Sequence, residues 1–536
     1  MRWRDRVRGR GALIAFAALE LIALPVILVC GRGSWFTADD WDFFSARTAG
    51  NAGDLFRSHF QHWTTIPILV YRLLWSLVGM HSYVPYQTLV ILGHLTVVAL
   101  LRVIMRRAGV RPWVATIVAS VLVFFGAGAE NILVAFQISF IGSLVFGLTQ
   151  LLLADHDGPI DRRDWLGLLA GLAGLMCSGA AIAMTVMVGL AVIVRRGRRG
   201  WPIALFHTAP LAVAYFLWSR FSPEGQSADV YHSQSITQVA KFVANGIKAA
   251  FGGLERTPAL GAVLGILLIA GLGLAYGMYG RRELRRSAAP LIALLAGAVV
   301  FLVLTGLVRA GQPPVLVRAR GTGPARARES RYIYMTAALF LPAIALALDT
   351  IIRRWRRLAI PVLALPLIGL PANFRQLQNY SPFYVTLPYE RQSILSLPRS
   401  PLADEFTHSP LPAPFSRLIP EGLTLGWIVD SRSSLPPPAF LDEREIRSQV
   451  LRFLLVRTIP TSVPRCEPLA RPVHLVLTKG ESITFERGNA LVAYQPLGTK
   501  PSRADLLTPS TYTAVVGSVR LRIAPEPKKP GVQLCQ

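Results

Sequence analysis

Residues 11–30 read GALIAFAALELIALPVILVC and residues 37–44 read TADDWDFF, and these two stretches decide the fold. The first is an apolar run of about 20 residues, the length that a helix needs to cross a membrane. It follows a basic start and no clear signal-peptide cleavage site ends it, so we interpret it as a retained first span. The second stretch places Asp39, Asp40 and Asp42 just beyond the membrane boundary, where charges are costly unless they have a function.

The composition indicates a polytopic membrane protein. The chain has 536 residues, of which 52% are hydrophobic and 16% are charged, and its mean hydropathy is +0.44. Soluble domains carry about 25% charged residues. The formal net charge of +26 would suggest a nucleic-acid partner in a soluble protein. Here most arginines stand in short clusters between apolar runs, which indicates membrane topology and no nucleic-acid partner.

The arginine clusters orient the predicted spans. They lie at 2–10, 106–111, 195–199, 281–286 and 353–357, and the positive-inside rule places them all in the cytoplasm. The alternation gives about eleven crossings, a cytoplasmic N-terminus and an external C-terminus. Because arginine far outnumbers lysine, as in GC-rich bacterial genomes, we expect a bacterial plasma membrane. The predicted spans lie near 11–30, 83–105, 112–128, 131–153, a hairpin at 165–194 broken near Cys177-Ser178-Gly179, 201–219, 258–279, 287–308, 331–352 and 357–371.

Three domains are predicted along the chain. Residues 1–371 form the membrane domain, in which a large first external loop (about 31–82) contains an apolar stretch at 64–80 that we expect to lie on the membrane surface. Residues 372–440 read as a Pro- and Ser-rich external linker, and 441–536 as a small external domain rich in β-strands. Cys466 and Cys535 fall in this last domain. A disulfide can persist there, although the spacing does not decide whether they pair.

The first candidate site region joins the three aspartates to a pair of histidines, His59 and His62. A carboxylate at a dry interface can act as a general base toward a hydroxyl group. Asp40 and His62 could instead help to hold a divalent metal ion. The plainer alternative is that the carboxylates cap a helix and stay solvated.

Two further regions are expected on the same external face. Glu130 and Asn131 form a predicted tight outer turn between two spans, and Gln137 follows it; polar groups there either bind a substrate or only satisfy the backbone. The loop before the 331–352 span carries several arginines on the side where the positive-inside rule expects few, among them Arg328 and Arg331, followed by Tyr332. A guanidinium fork suits phosphate oxygens, so these residues predict either a specific phosphate clamp or general binding of anionic head groups.

The sequence contains no P-loop, HExxH, CxxC or GxSxG motif. The order of its features resembles the GT-C glycosyltransferases, which use polyprenyl-phosphate sugars and include protein mannosyltransferases and aminoarabinose transferases. The stretch 38–43, ADDWDF, is similar to their acidic ADE or DD pattern, and 62–67 is similar to their HPP-type segment without its first proline. Residues 130–137 and 330–332 look like segments of uncharacterised actinobacterial members. The resemblance covers about 1–370 in architecture and only short motifs in detail.

The resemblance implies a reaction on the external face. A polyprenyl-phosphate sugar is the donor, and a glycan, lipid or protein hydroxyl is the acceptor. Asp39 would be the base, Asp40 would support it or a metal ion, and Arg331, with Tyr332 or Arg328, would stabilise the leaving phosphate. Asp42, His59, His62, Glu130 and Gln137 would contribute to substrate binding. Two alternatives stay open: a flippase or transporter of lipid-linked oligosaccharides, and a non-catalytic protein of cell-envelope assembly.

Overall fold

The fold is mostly helical, with a small region of β-structure near the C-terminus. The computed structural model describes residues 3–222, 235–311, 323–380, 391, 394–395, 425–437, 455–458, 466–496, 505–514, 519–526 and 532–535. The α-helices are α1 Trp3–Cys30, α2 Ala38–Ser45, α3 Ala52–Phe56, α4 Thr65–Val78, α5 Val84–Arg107, α6 Pro112–Val123, α7 Ala129–Leu133, α8 Ile138–Ala154, α9 Arg162–Leu175, α10 Ala180–Arg196, α11 Trp201–Phe221, α12 Ile236–Glu255, α13 Pro258–Arg309, α14 Ser330–Arg354, α15 Ala359–Ile368, α16 Leu370–Gln378 and α17 Leu425–Asp430.

Several of these helices are long and apolar enough to cross a membrane. Eight stretches in the described residues meet that criterion, or up to nine if the bent pair Pro112–Val123 and Gly126–Leu133 forms one span. The prediction of a multi-pass membrane protein is therefore confirmed, whereas the count of eleven crossings stays a prediction. α9 has only 14 residues. The hairpin break predicted near Cys177 lies between the end of α9 and the start of α10.

The predicted tight turn at Glu130-Asn131 is wrong in detail. α6 ends at Val123, and two 3-10 turns and the short helix α7 fill the chain before α8 begins at Ile138. Gly126 and Gly128 explain this break, because a Cβ on Gly126 would lie 1.9 Å from the Asn373 carbonyl oxygen and one on Gly128 would lie 2.7 Å from Tyr334. We call residues 124–137 the α6–α8 break.

The described chain forms two compact units. The first comprises Met1–Ser34, Ala49–Tyr71 and Val84–Ser381, and α14 lies at its centre, since every residue of the most apolar part of α14 is buried. Small residues let neighbouring helices approach closely. At Gly271 of α13, a Cβ would stand only 2.6 Å from the Ala347 Cα of α14.

The second unit comprises Trp35–Thr48, Arg72–Tyr83 and Pro382–Gln536. Its C-terminal part confirms the prediction of a β-rich region and contains two antiparallel sheets, β1-β7-β4-β9-β2 and β3-β8-β5-β6. Cys466 and Cys535 lie opposite each other on β2 and β9 and form a disulfide. Most of the predicted linker at 372–440 lies outside the described residues, although its first part is helical as far as Gln378. The strands are β1 Leu455–Thr458, β2 Cys466–Pro468, β3 Val473–Leu477, β4 Ser482–Arg487, β5 Ala490–Pro496, β6 Asp505–Leu507, β7 Ser510–Ala514, β8 Val519–Pro525 and β9 Gln533–Cys535.

Candidate functional site

The three aspartates of the opening motif lie on α2 and have different surroundings. The main-chain N–H of Thr37 donates to Asp40 Oδ2 over 2.7 Å, as part of a capping box, and Asp40 is fully buried. Asp42 is also buried and accepts from Arg47 Nε over 3.3 Å. Asp39 is half-buried and is the most exposed of the three. Asp40 thus caps the helix as the plainer alternative predicts, but it is buried and not solvated, and Asp39 is the carboxylate of the three that solvent reaches most easily.

Aromatic side chains of the second unit fix the orientation of α2. The ring of Trp41 is fully buried and lies 5.5 Å from the Trp35 ring and 6.1 Å from the Trp427 ring. At the other end of the helix, Arg72 Nη1 donates to the Phe44 carbonyl over 2.9 Å. Because Trp41 faces this cluster, the helix holds its neighbouring carboxylates in a defined direction.

The two predicted histidines belong to the first unit and close a tight turn. His59 and His62 exchange two main-chain hydrogen bonds, while Phe60 and Gln61 between them have φ values of 44° and 69°. Such left-handed conformations are uncommon for residues other than glycine and often occur where a site requires them. His59 lies with its ring 5.4 Å from Phe136, and His62 Nδ1 accepts from Gly179 N over 3.3 Å. The turn is therefore tied to the α6–α8 break and to the tip of the α9–α10 hairpin.

The second and third predicted regions meet at one set of charged groups. Gln137 Nε2 donates to Glu130 Oε1 over 3.0 Å, and Arg331 Nη1 lies 4.0 Å from that same oxygen. Arg331 also donates to Glu329 over 2.7 Å, and its guanidinium lies 5.1 Å from the centre of the Tyr332 ring. We call Glu130, Gln137, Glu329 and Arg331 the Arg331 cluster. Sequence reasoning proposed three of these four residues and missed Glu329.

Opposing effects set the charge state of Glu329. Burial alone would raise the pKa of its carboxyl group, but the charges and hydrogen bonds of Arg331 and Arg326 outweigh burial and lower that pKa. Arg326 Nε donates to the other carboxylate oxygen over 2.6 Å. Glu329 is thus ionised and orients Arg331. Arg328, in the same segment, is exposed, so the structure gives it no place in this cluster.

Buried amide groups next to the cluster lack hydrogen-bond partners. Both side-chain polar atoms of Asn131 and the Oε1 of Gln137 are buried without a partner in the described part of the chain. Burying such atoms costs about 1–3 kcal/mol each, so a native structure that retains them needs an explanation. A ligand or an ordered water that bonds to these amides would remove the cost.

Sequence reasoning missed two further buried polar residues near the break. The Asn373 side chain donates to the carbonyls of Gly253, Leu254 and Gly369 over 3.0–3.1 Å and accepts from Ala127 N over 3.0 Å. Glu255, at the end of α12, is 1% exposed and neither of its oxygens has a partner within the described ranges. Burial raises the pKa of Glu255 to about 7. In the sequence, Asn373 and Glu255 stand out only as polar residues next to apolar runs.

The metal-ion site suggested for Asp40 and His62 stays a prediction. Within the residues that the structure describes, two groups bring three ligand atoms close enough for one ion: Cys466, Glu486 and Cys535, and His156, Asp161 and Asp164. In the first group, Cys466 and Cys535 are joined in a disulfide and are therefore not free thiols. In the second, the Asp164 carboxylate lies within hydrogen-bond distance of His156 and of His207, at 3.1 and 2.9 Å. Neither group contains Asp40 or His62.

No protein-family model matches the chain, and searches of curated proteins and of solved structures find no similar protein. Membership in the GT-C family therefore stays a prediction from the motifs. The structure describes the aspartates within the second unit and the histidines and the Arg331 cluster within the first. Within the first unit, contacts run from His59 through Phe136 and Gln137 to Glu130 and Arg331.

Proposed function

We propose that this protein is an integral membrane glycosyltransferase that uses a polyprenyl-phosphate sugar as donor. It transfers the sugar to a hydroxyl group of a glycan, lipid or protein on the extracytoplasmic face of a bacterial plasma membrane. The observation that carries the proposal is the Arg331 cluster, in which a guanidinium lies next to a break between apolar helices, and the break contains buried amide atoms of Asn131 and Gln137 that have no partner among the described residues. The guanidinium and the Asn131 Nδ2 are donors that suit the oxygens of a lipid phosphate, and the amide oxygens of Asn131 and Gln137 are acceptors that suit the hydroxyl groups of a sugar.

The proposed reaction is a single displacement with inversion. Asp39 accepts the proton of the acceptor hydroxyl, whose oxygen forms a bond to the anomeric carbon of the sugar. The bond between that carbon and the phosphate oxygen breaks, and the polyprenyl phosphate leaves with the electron pair. Arg331 stabilises the negative charge that develops on the phosphate, which is often a leading contribution to catalysis.

The surroundings of each carboxylate support this division of roles. Asp40 is occupied in capping α2 and Asp42 in its pair with Arg47, so both are positioning residues in the proposal. Asp39 is the half-buried carboxylate of the three. Glu329 and Glu130 orient Arg331 from two directions. In the proposal, Gln137 of the cluster and His59, whose ring lies 5.4 Å from Phe136, contact the sugar.

Replacement of the proposed base tests this function. Purified protein in vesicles is supplied with a panel of polyprenyl-phosphate sugars and a cell-envelope acceptor extract, and formation of the glycosylated product is measured. Asp39→Asn should lower the transfer rate by about 10²–10⁴-fold, since general-base catalysis contributes that much. Asp42→Asn is the matched control and should affect protein yield more than the rate per folded molecule, because it breaks the buried pair with Arg47.

Two outcomes would contradict the proposal. Transfer that survives Asp39→Asn and Asp40→Asn together would exclude both carboxylates as the base. Movement of a lipid-linked sugar across the vesicle membrane without any transfer would favour the transporter alternative.

A further inference from the structure

A cavity of about 640 Å³ lies at the break in the long helix α13, and none of its lining residues belongs to the Arg331 cluster. The break is at Gly280, whose φ of 72° and ψ of 164° are accessible in practice only to glycine. The walls come from the end of α5, the loop after α8, the end of α10 and both sides of the break. This volume is in the range of small-molecule sites.

Arg195 connects several segments of the cavity wall through its hydrogen bonds. Arg195 donates to Asp155 over 2.8 Å and to both oxygens of Asp157 over 3.0 and 3.2 Å. It also donates to the main-chain oxygen of Arg286 over 2.9 Å. The two aspartates therefore more than balance the single charge of Arg195, which joins the loop to the helix beyond the break, and they also interact electrostatically with Arg107 and Arg286.

Two other arginines supply the available positive charge. Arg107 and Arg286 line the cavity with exposed side chains, and neither forms a salt bridge within the described residues. Arg107 Nη1 donates to the Leu152 carbonyl over 2.7 Å, which positions it without cancelling its charge. Tyr279 belongs to the same lining, as does Ser287, whose hydroxyl donates to the Glu283 main-chain oxygen over 3.0 Å. Guanidinium and hydroxyl groups are the usual donors to phosphate oxygens.

The position of the cavity indicates where such a phosphate comes from. Arg107 is the last residue of one candidate span, Gly280 ends another, and the next begins at Arg285. The cavity therefore lies where apolar helices end, at the expected depth of lipid head groups. Basic pockets between membrane helices at this depth bind the head groups of anionic lipids.

We infer that this cavity binds the phosphate-bearing head group of an anionic phospholipid through Arg107 and Arg286. Glu283 is the opposing charge, since its exposed carboxylate lies in the same lining. Its negative charge weakens the binding of an anion, so removal of that charge should strengthen the binding of the lipid head group. This site is independent of the proposed glycosyl transfer.

Lipid retention measured by native mass spectrometry tests the inference. Purified full-length protein in detergent is titrated with cardiolipin, phosphatidylglycerol or phosphatidylcholine. Arg107→Gln with Arg286→Gln should weaken cardiolipin binding by about thirtyfold, given the usual contribution of two surface cations. Arg354→Gln with Arg357→Gln removes the same charge from exposed arginines outside the cavity and should change binding less than about twofold.

Two more variants make the test independent of folding. Arg107→Lys with Arg286→Lys keeps the charge and should retain most of the binding, whereas Glu283→Gln should strengthen it. Equal losses in the two double glutamine variants would overturn the inference, as would a weaker complex for Glu283→Gln. If millimolar inorganic pyrophosphate displaces cardiolipin and binds the lipid-free protein as tightly, the lipid assignment is wrong and the ligand is a soluble phosphate.

Discussion

The two ends of α14 carry nearly the same arrangement of charges in different surroundings. At its start, Glu329 lies between Arg326 and Arg331, and near its end, Asp349 lies between Arg111 and Arg353. Each carboxylate accepts from two guanidinium groups at 2.5–2.8 Å. A carboxylate between two arginines is therefore no evidence of a functional site by itself.

The surroundings distinguish the two ends. Arg353 also donates to the Gly109 carbonyl over 2.8 Å, so the group at Asp349 joins α14 to the turn between α5 and α6. At the other end, the α6–α8 break places Glu130 beside Arg331 and Gln137 against Glu130, and buried amide atoms of Asn131 and Gln137 in this break have no partner among the described residues. We therefore assign a structural role to the Arg353 end and ligand binding to the Arg331 end.

The largest difference between the ends is expected in activity. Arg331→Gln should lower the rate of sugar transfer by about 10²–10³-fold, because one stabilising donor to a developing charge is usually worth that much. Arg353→Gln, its matched control, should leave the rate per folded molecule within about twofold, because the proposed chemistry does not involve it. Equal effects of the two variants in the vesicle transfer assay would remove the distinction between the ends.

Replacement of two buried asparagines, Asn131 and Asn373, should change the free energy of unfolding in opposite directions. Asn131→Leu removes two unpartnered buried atoms and should raise the free energy of unfolding by about 1–3 kcal/mol while it lowers transfer. Asn373→Leu removes the side-chain partner of Ala127 N and of the Gly253 and Leu254 carbonyls, whereas the Gly369 carbonyl still accepts from the main-chain N–H of residue 373, and the variant should destabilise the protein by a similar amount or more. Unfolding midpoints in detergent check both changes. A loss of stability in Asn131→Leu would mean that Asn131 has a structural role.

The stability is also expected to depend on pH, with opposite signs at two carboxylates. The pKa of Glu255 is raised to about 7 by burial, so the unfolded chain releases this proton more readily. Stability should therefore fall by about 3 kcal/mol as the pH rises from about 4.5 to 7, and Glu255→Gln should abolish that fall. The pKa of Glu329 is lowered, so its contribution is present at neutral pH and is lost as the pH falls through the lowered value. Unfolding midpoints are measured between pH 4 and 8, and the account is contradicted if Glu255→Gln shows the same fall with rising pH as the unsubstituted protein.

Local pattern predicted the helices and strands well where a segment is long and uniform. The span expected at 331–352 is α14, Ser330–Arg354, and the one at 83–105 is α5, Val84–Arg107. The strand at Val473–Leu477 lies where the alternation placed it. The last membrane helix continues to Gln378, seven residues beyond the predicted end at 371, because its polar final turn is held by long-range contacts of Asn373.

The composition of the site was harder to predict, because its decisive contacts join distant parts of the chain. The string at 37–44 suggested three equivalent carboxylates, yet capping occupies Asp40 and the pair with Arg47 occupies Asp42. Arg331 was identified because it lies in a predicted external loop, where the positive-inside rule expects few arginines. Its partner Glu329 and the unpartnered Asn131 could not be identified without the fold, since sequence does not show which polar atoms are buried.

Photocrosslinking of the lipid tests the central claim most directly, and it does not depend on knowing the sugar. Protein in vesicles is irradiated with a polyprenyl phosphate that carries a diazirine near its phosphate, and the labelled peptides are mapped. We expect label in residues 124–137 and 323–334, and we expect Arg331→Gln to reduce it while Arg353→Gln does not. Label that concentrates around Asp349 and Arg353, or that Arg331→Gln leaves unchanged, would contradict the assignment of the lipid phosphate to the Arg331 end.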